Sequence, residues 1–203
     1  MLSITVIIIL ITVIVSMMAF NDEQLLNKLL FWPYRMRSPA SYYRFITSGF
    51  IHADYIHLIF NLFSFYFFAM NLEDTTYGIG ATYMGILYLS GIVVANIPSY
   101  FRHRNNPYYT ALGASGGVAA IIFAHIYLYP FELIRIFFAI PIPSVLFGIL
   151  YLIYSAYMDK KSKDNIGHNA HFWGAVYGIA FMIIIDPSHG GHFLDQIKSL
   201  LAQ

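Results

Sequence analysis

Six stretches of this chain are apolar over nearly the length that crosses a bilayer: residues 1–20, 53–70, 76–97, 114–129, 142–158 and 168–185. A spanning helix needs about 20 such residues. Inside hydrocarbon every backbone N–H and C=O must bond within its own segment, so lone runs of this kind fold as helices. The composition agrees, with 59% hydrophobic and 10% charged residues, where soluble domains carry about 25% charged residues. A soluble fold of this chain would expose apolar patches larger than monomers tolerate. The net charge of +1 leaves no footprint for nucleic acid. Cysteine is absent, which excludes disulfides, thiol catalysis and thiolate metal ligands.

The expected fold class is an all-α membrane protein, a compact six-transmembrane-helix bundle that forms a single domain over 1–203 with no extra soluble domain. The first stretch reads as a retained span, because its first lysine is Lys28 and the residues around Ser16 to Phe20 make a poor cleavage site. The connection 21–45 mixes Lys28, Arg35, Arg37 and Arg44 with Phe31, Trp32, Tyr34, Tyr42 and Tyr43. Aromatics with arginines suit the headgroup layer, so this first loop is expected to lie folded on the membrane surface. Asp54 reads as an N-cap of the second span, and Glu73 with Asp74 closes it. Pro98 is expected to open a polar loop, Pro141 and Pro143 to break the chain before a short fifth span, and residues 159–164 to form a charged loop.

Three constellations could carry chemistry. In Gly113-Ala114-Ser115-Gly116, glycines remove side chains around a hydroxyl at the start of a membrane helix. That lets a substrate backbone approach and neighbouring helices press close. The same run also suits plain packing. In the sixth span, His171, Gly174 and Gly178 share one helical face, so a second helix can reach backbone contact below the histidine. In the second span, His57 and Asn61 are i, i+4 neighbours, two donors aimed at one point as an oxyanion requires, or simply interhelical glue. His52, before that helix, reads as structural. A zinc site from His52, His57, His168 and His171 is the metal alternative; without HExxH or an intramembrane acid between paired histidines, no metal and no cofactor is expected.

Together these residues resemble the rhomboid family of intramembrane serine proteases, from about Leu26 to Asp186. The family's GxSG motif is matched by Gly113 to Gly116, its histidine before GxxxG by His171, Gly174 and Gly178, and its HxxxxHxxxN by His52, His57 and Asn61. Tyr43-Arg44 stands where Trp-Arg is usual, Glu73 matches an acid of the second loop, and Ile140 to Pro143 is familiar from relatives. One departure is Ala119, where many relatives carry an aromatic that supports the histidine; Phe172, Trp173 or another aromatic is left to fill the gap.

The resemblance implies a rhomboid-like bundle with Ser115 and His171 as a catalytic dyad. It implies an oxyanion hole from the Ser115 N–H, Asn61 and His57 with Gly113 beside it, and structural support from His52, Gly116, Gly174, Gly178, Arg44 and Glu73. The partners implied are transmembrane protein substrates and the lipid bilayer. The location implied is multi-pass in a bacterial inner membrane, with cytoplasmic termini and the site towards the opposite side. Nine of the 11 Lys and Arg residues fall on the site's side, and the positive-inside rule predicts the reverse orientation. The alternative is a catalytically silent relative that binds and escorts membrane helices. A small transporter fits less well, because the polar residues of spans two, four and six gather towards one end.

Overall fold

Each of the six apolar stretches carries a helix in the computed structural model, which describes residues 3–76, 78–136, 139–161, 167–188, 195 and 198. Helix α1 spans Ile4–Asn21. Its free first-turn donors are met by the last residue of α4 (Tyr55–Glu73). The Glu73 carboxylate accepts from Ile4 N at 2.7 Å, Thr5 N at 3.0 Å and Ser3 Oγ at 2.6 Å. A carboxylate at a helix N-terminus satisfies orphan N–H groups and complements the dipole.

The first loop folds into α2 (Glu23–Leu29), α3 (Arg44–Thr47) and short 3-10 turns. Arg44, 8% exposed, turns inward. Its Nη1 donates to the Asn27 and Leu30 carbonyls at 2.9 and 2.7 Å and so caps the end of α2. Tyr43 lies 5.6 Å from the guanidinium, a cation–π distance.

Asp54 caps α4 as expected, accepting from His57 N at 2.7 Å. Helix α5 departs from expectation, running Gly80–His103 straight through Pro98. The proline removes one helical donor, but the turn beyond it is held by other helices. Ser99 Oγ donates to Asn169 Oδ1 at 3.1 Å, Tyr100 donates to the Met36 carbonyl at 3.1 Å, and Arg102 pairs with Asp159 at 3.0 Å.

Helix α6 (Ser115–Leu128) has 14 residues, about 21 Å against a hydrocarbon core of about 30 Å. It occupies the centre, packed against α4, α5, α7 and α8. A further departure follows it. Leu133–Ile136 (β1) and Ile140–Pro143 (β2) form an antiparallel hairpin with Arg135 opposite Pro141. Proline fits a two-stranded ribbon because one side of each strand needs no ladder donors. Helix α7 (Ser144–Lys161) starts at the base of the hairpin, with Ser144 N and Val145 N on the Glu132 and Pro130 carbonyls, both at 2.8 Å. It absorbs residues 159–161 of the expected charged loop; residues 162–166 lie outside the described residues. Helix α8 (His168–Ile185) ends at Asp186. Four helices, α1, α4, α5 and α8, are each long and apolar enough to cross a membrane.

Candidate active site

Helices α6 and α8 run side by side with their backbones in contact. A methyl group at Gly174 would meet the Gly116 carbonyl, and one at Gly178 the Ala120 carbonyl. A side chain at either position would force the helices apart, which explains the glycine stripe. The pairings run in one direction along both helices, so α6 and α8 are parallel, and Ser115 lies near the level of the early turn of α8 that carries His171. Ser115 is the first residue of α6, and His171 lies one turn before Gly174. Gly116 packs against Ala95 on its other side.

The backbone before α6 is pinned to the first loop. Phe31 and Ala111 exchange two backbone bonds at 3.0 and 2.9 Å, and Gly113 N donates to Ser48 O at 2.9 Å. Because α6 is too short to span alone, this irregular segment enters at depth, where backbone groups must be satisfied by protein. Gly113 adopts φ +111°, a conformation that disfavours side chains. A Cβ there would lie 2.7 Å from His57 Cε1 and 2.9 Å from its Nε2. The glycine thus makes room for the His57 ring beside the serine turn, and its own N–H is used by Ser48.

Asn61, 8% exposed, lies one turn further along α4 and donates from Nδ2 to the His57 carbonyl at 3.0 Å. The second hydrogen of that amide is available to a ligand. A cavity of about 20 Å³ adjoins the turn, lined by Ser115, Gly113, Ser48, Asn96, Tyr109 and Ala170. That is the space of one water. Burial pushes the Tyr109 hydroxyl pKa up, and its ring stacks on His103 at 3.7 Å.

His171 has the His168 ring 5.8 Å away on its own helix and an aromatic ring from another helix, the third of the open alternatives. Trp173 is 40% exposed and Phe172 packs on it. Tyr151 of α7 places its ring 6.1 Å from His171, tilted by 31°, and 5.6 Å from Phe123. Ala119 is fully buried within the same core. Ring support therefore comes from another helix. Sequence reasoning missed Tyr151 and Tyr109, since no local spacing ties either to a residue that reaches it through tertiary packing.

A family model described as Rhomboid domain matches residues 39–187. The chain belongs to the rhomboid family. Its rhomboid relatives include RHOMBOID-like protein 12, mitochondrial, of Arabidopsis thaliana, 27% identical over 178 residues, covering 80% of this chain and 52% of that protein. Rhomboid-related protein 3 of Homo sapiens is 27% identical over 188 residues, covering 87% and 44% respectively. Rhomboid-related protein 1 of Caenorhabditis elegans is 28% identical over 166 residues, covering 76% and 43%. The chain spans about half the length of these curated relatives. All three come from eukaryotes, so they lend no support to a bacterial inner membrane; a multi-pass membrane protein is what the rhomboid domain and the apolar helices establish.

The remaining motif residues hold helix ends and the backbone around the Ser115 turn. Arg44 and Glu73 cap helices, as described. His52, 1% exposed, has Nδ1 3.0 Å from Ser16 Oγ, and its Nε2 accepts from Ala114 N at 3.4 Å. Burial, with His57 adding to it and Asp54 opposing, holds its pKa down to about 3. The ring is therefore neutral at physiological pH. Among the described residues no group of three or more His, Asp or Glu is placed to hold a metal ion.

Proposed function

We propose that this chain is an intramembrane serine endopeptidase that cleaves transmembrane segments of other membrane proteins. The observation that carries the reading is the backbone contact of α6 with α8, whose register sets Ser115 near the level of the α8 turn that carries His171. In this reading His171 takes the Ser115 proton as Oγ attacks the peptide carbonyl carbon. The carbonyl electron pair moves to oxygen. That oxyanion is held by the Ser115 N–H at the start of α6, with His57 and Asn61 as side-chain donors. Collapse breaks the C–N bond, and His171 returns the proton to the leaving amine. A water deprotonated by His171 then hydrolyses the acyl ester and restores Ser115. Losing one oxyanion donor costs about 3–4 kcal/mol in a soluble serine protease.

The test uses purified protein in detergent with a transmembrane model substrate and a fluorophosphonate probe. Ser115→Ala and His171→Ala are each expected to abolish cleavage with folding retained, and Ser115→Ala to abolish labelling. Turnover surviving in either variant sinks the dyad. A folded wild type that binds substrate helices without turnover favours the escort alternative.

A further inference from the structure

We propose that Ser16, on α1, is a positioning residue for the nucleophile turn: it fixes which nitrogen of His52 carries the proton and, through that ring, fixes the backbone leading into Ser115. The inference rests on the reading of Ser115 as nucleophile. Ser16 lies outside residues 39–187, the part matched by the family model.

The chemistry runs in one direction only. A backbone N–H can donate and cannot accept, so Ala114 N, 3.4 Å from His52 Nε2, requires that nitrogen to be unprotonated. The neutral ring then carries its hydrogen on Nδ1, which donates to Ser16 Oγ at 3.0 Å. The Ser16 hydroxyl in turn donates to the Phe50 carbonyl at 3.0 Å. Ala114, His52, Ser16 and Phe50 thus form a chain in which each donor meets an acceptor. The opposite tautomer would set N–H against N–H at Ala114. Ser16 is 0% and His52 1% exposed, so no solvent replaces a lost partner.

The chain settles the donors of the turn one by one. Gly113 N–H goes to Ser48 O and Ala114 N–H to His52. The next N–H is that of Ser115, at the helix start, where no intrahelical partner exists. The His52 ring also stands edge-on to His57 with centroids 5.0 Å apart, so it bounds the second oxyanion group as well. Without the Ser16 hydroxyl, either Nδ1–H is buried without an acceptor or the ring flips its proton and displaces Ala114.

The test is made on the full chain in detergent. The ¹⁵N shifts of the His52 ring give the tautomer directly, and the wild type is expected to carry the hydrogen on Nδ1. Ser16→Ala is expected to lower the fluorophosphonate labelling rate and kcat by about tenfold to a hundredfold, the scale of a small misplacement at a reacting centre, with KM little changed. Ser16→Thr, which keeps the hydroxyl, is expected to recover most of the rate. Thr12→Ala removes another buried hydroxyl of α1, which bonds Ile8 O of its own helix and the Tyr88 hydroxyl of α5 rather than His52, and is expected to leave the rate near wild type. A wild-type hydrogen on Nε2 overturns the proposal. So does a folded Ser16→Ala protein labelled at the wild-type rate, or a Thr12→Ala protein slowed as much as Ser16→Ala. A wild type that is never labelled overturns the nucleophile reading instead, and the ring tautomer still decides the hydrogen-bond chain on its own.

Discussion

Helices α6 and α7 are neighbours with opposite surroundings. Every residue of α6 from Gly116 to Leu128 is buried. On α7 the buried residues are Ser144, Gly148 and Ser155, while Leu146, Ile149, Leu150, Ile153, Tyr154 and Tyr157 are 43–62% exposed towards the lipid side. The serine thus sits at the start of an element packed on all sides from the next residue on, so its backbone is closely held. The aromatic that faces His171 sits on an element held at its ends and along one stripe. At one end the stripe is anchored by Ser144 at the hairpin. In the middle a methyl at Gly148 would sit 3.1 Å from Ile126 Cδ1. At the other end Asp159 meets Arg102, and Asn169 Nδ2 donates to it at 3.3 Å. The contrast teaches that this fold places Ser115 on a fixed central helix and the ring beside His171 on a peripheral one.

Substitutions at three positions test that contrast, taken in order of decreasing effect. Gly174→Val drives a side chain into the Gly116 backbone, which cannot yield as a flexible side chain would. Its cost is expected at or above the top of the about 1–3 kcal/mol range for overpacking, read as loss of the folded species in thermal unfolding. A stable, active Gly174→Val protein would remove the basis for calling α6 fixed. Tyr151→Ala is expected to slow labelling of Ser115 about tenfold, by loosening His171, while unfolding at a temperature closer to wild type than Gly174→Val. Tyr151→Phe keeps the ring and is expected to label at near the wild-type rate; equal losses in both variants would shift the role from ring to hydroxyl. Arg102→Ala breaks an ion pair whose arginine side chain is 50% exposed. Solvent screening limits such a pair to about 1 kcal/mol or less. The expected result is a small fall in unfolding temperature, and a large one would make the far end of α7 as firmly held as α6.

How far the site was legible follows from the same contrast. GxSG, the histidine with its glycine stripe and the His57–Asn61 spacing are local patterns, and they named the helices that meet. Glycines at Gly116, Gly174 and Gly178 mark backbone contact because nothing larger fits there. Hydropathy could not tell α6 from α7. In a bilayer both the core-facing and the lipid-facing sides of a helix are apolar, so the amphipathic period that separates them in soluble proteins is absent. Pro98 misled for a related reason: it is a local obstacle that long-range bonds from Asn169, Met36 and Asp159 offset, whereas Pro141 and Pro143 do stand before the start of α7, with the pairing of β2 to β1 as the part not foreseen.

The class of the chain, the six apolar segments and the family can be read from residues alone, because these depend on run length and on motifs a few residues wide. That α6 is central, and that Arg44 and Glu73 serve as helix caps, follows from three-dimensional packing. It also replaced the missing aromatic at Ala119 with Tyr151, and it linked His52 to Ser16. Each of these is a contact between residues distant in the chain. Such contacts are chosen by which surfaces fit in three dimensions, and that information has no period along the sequence.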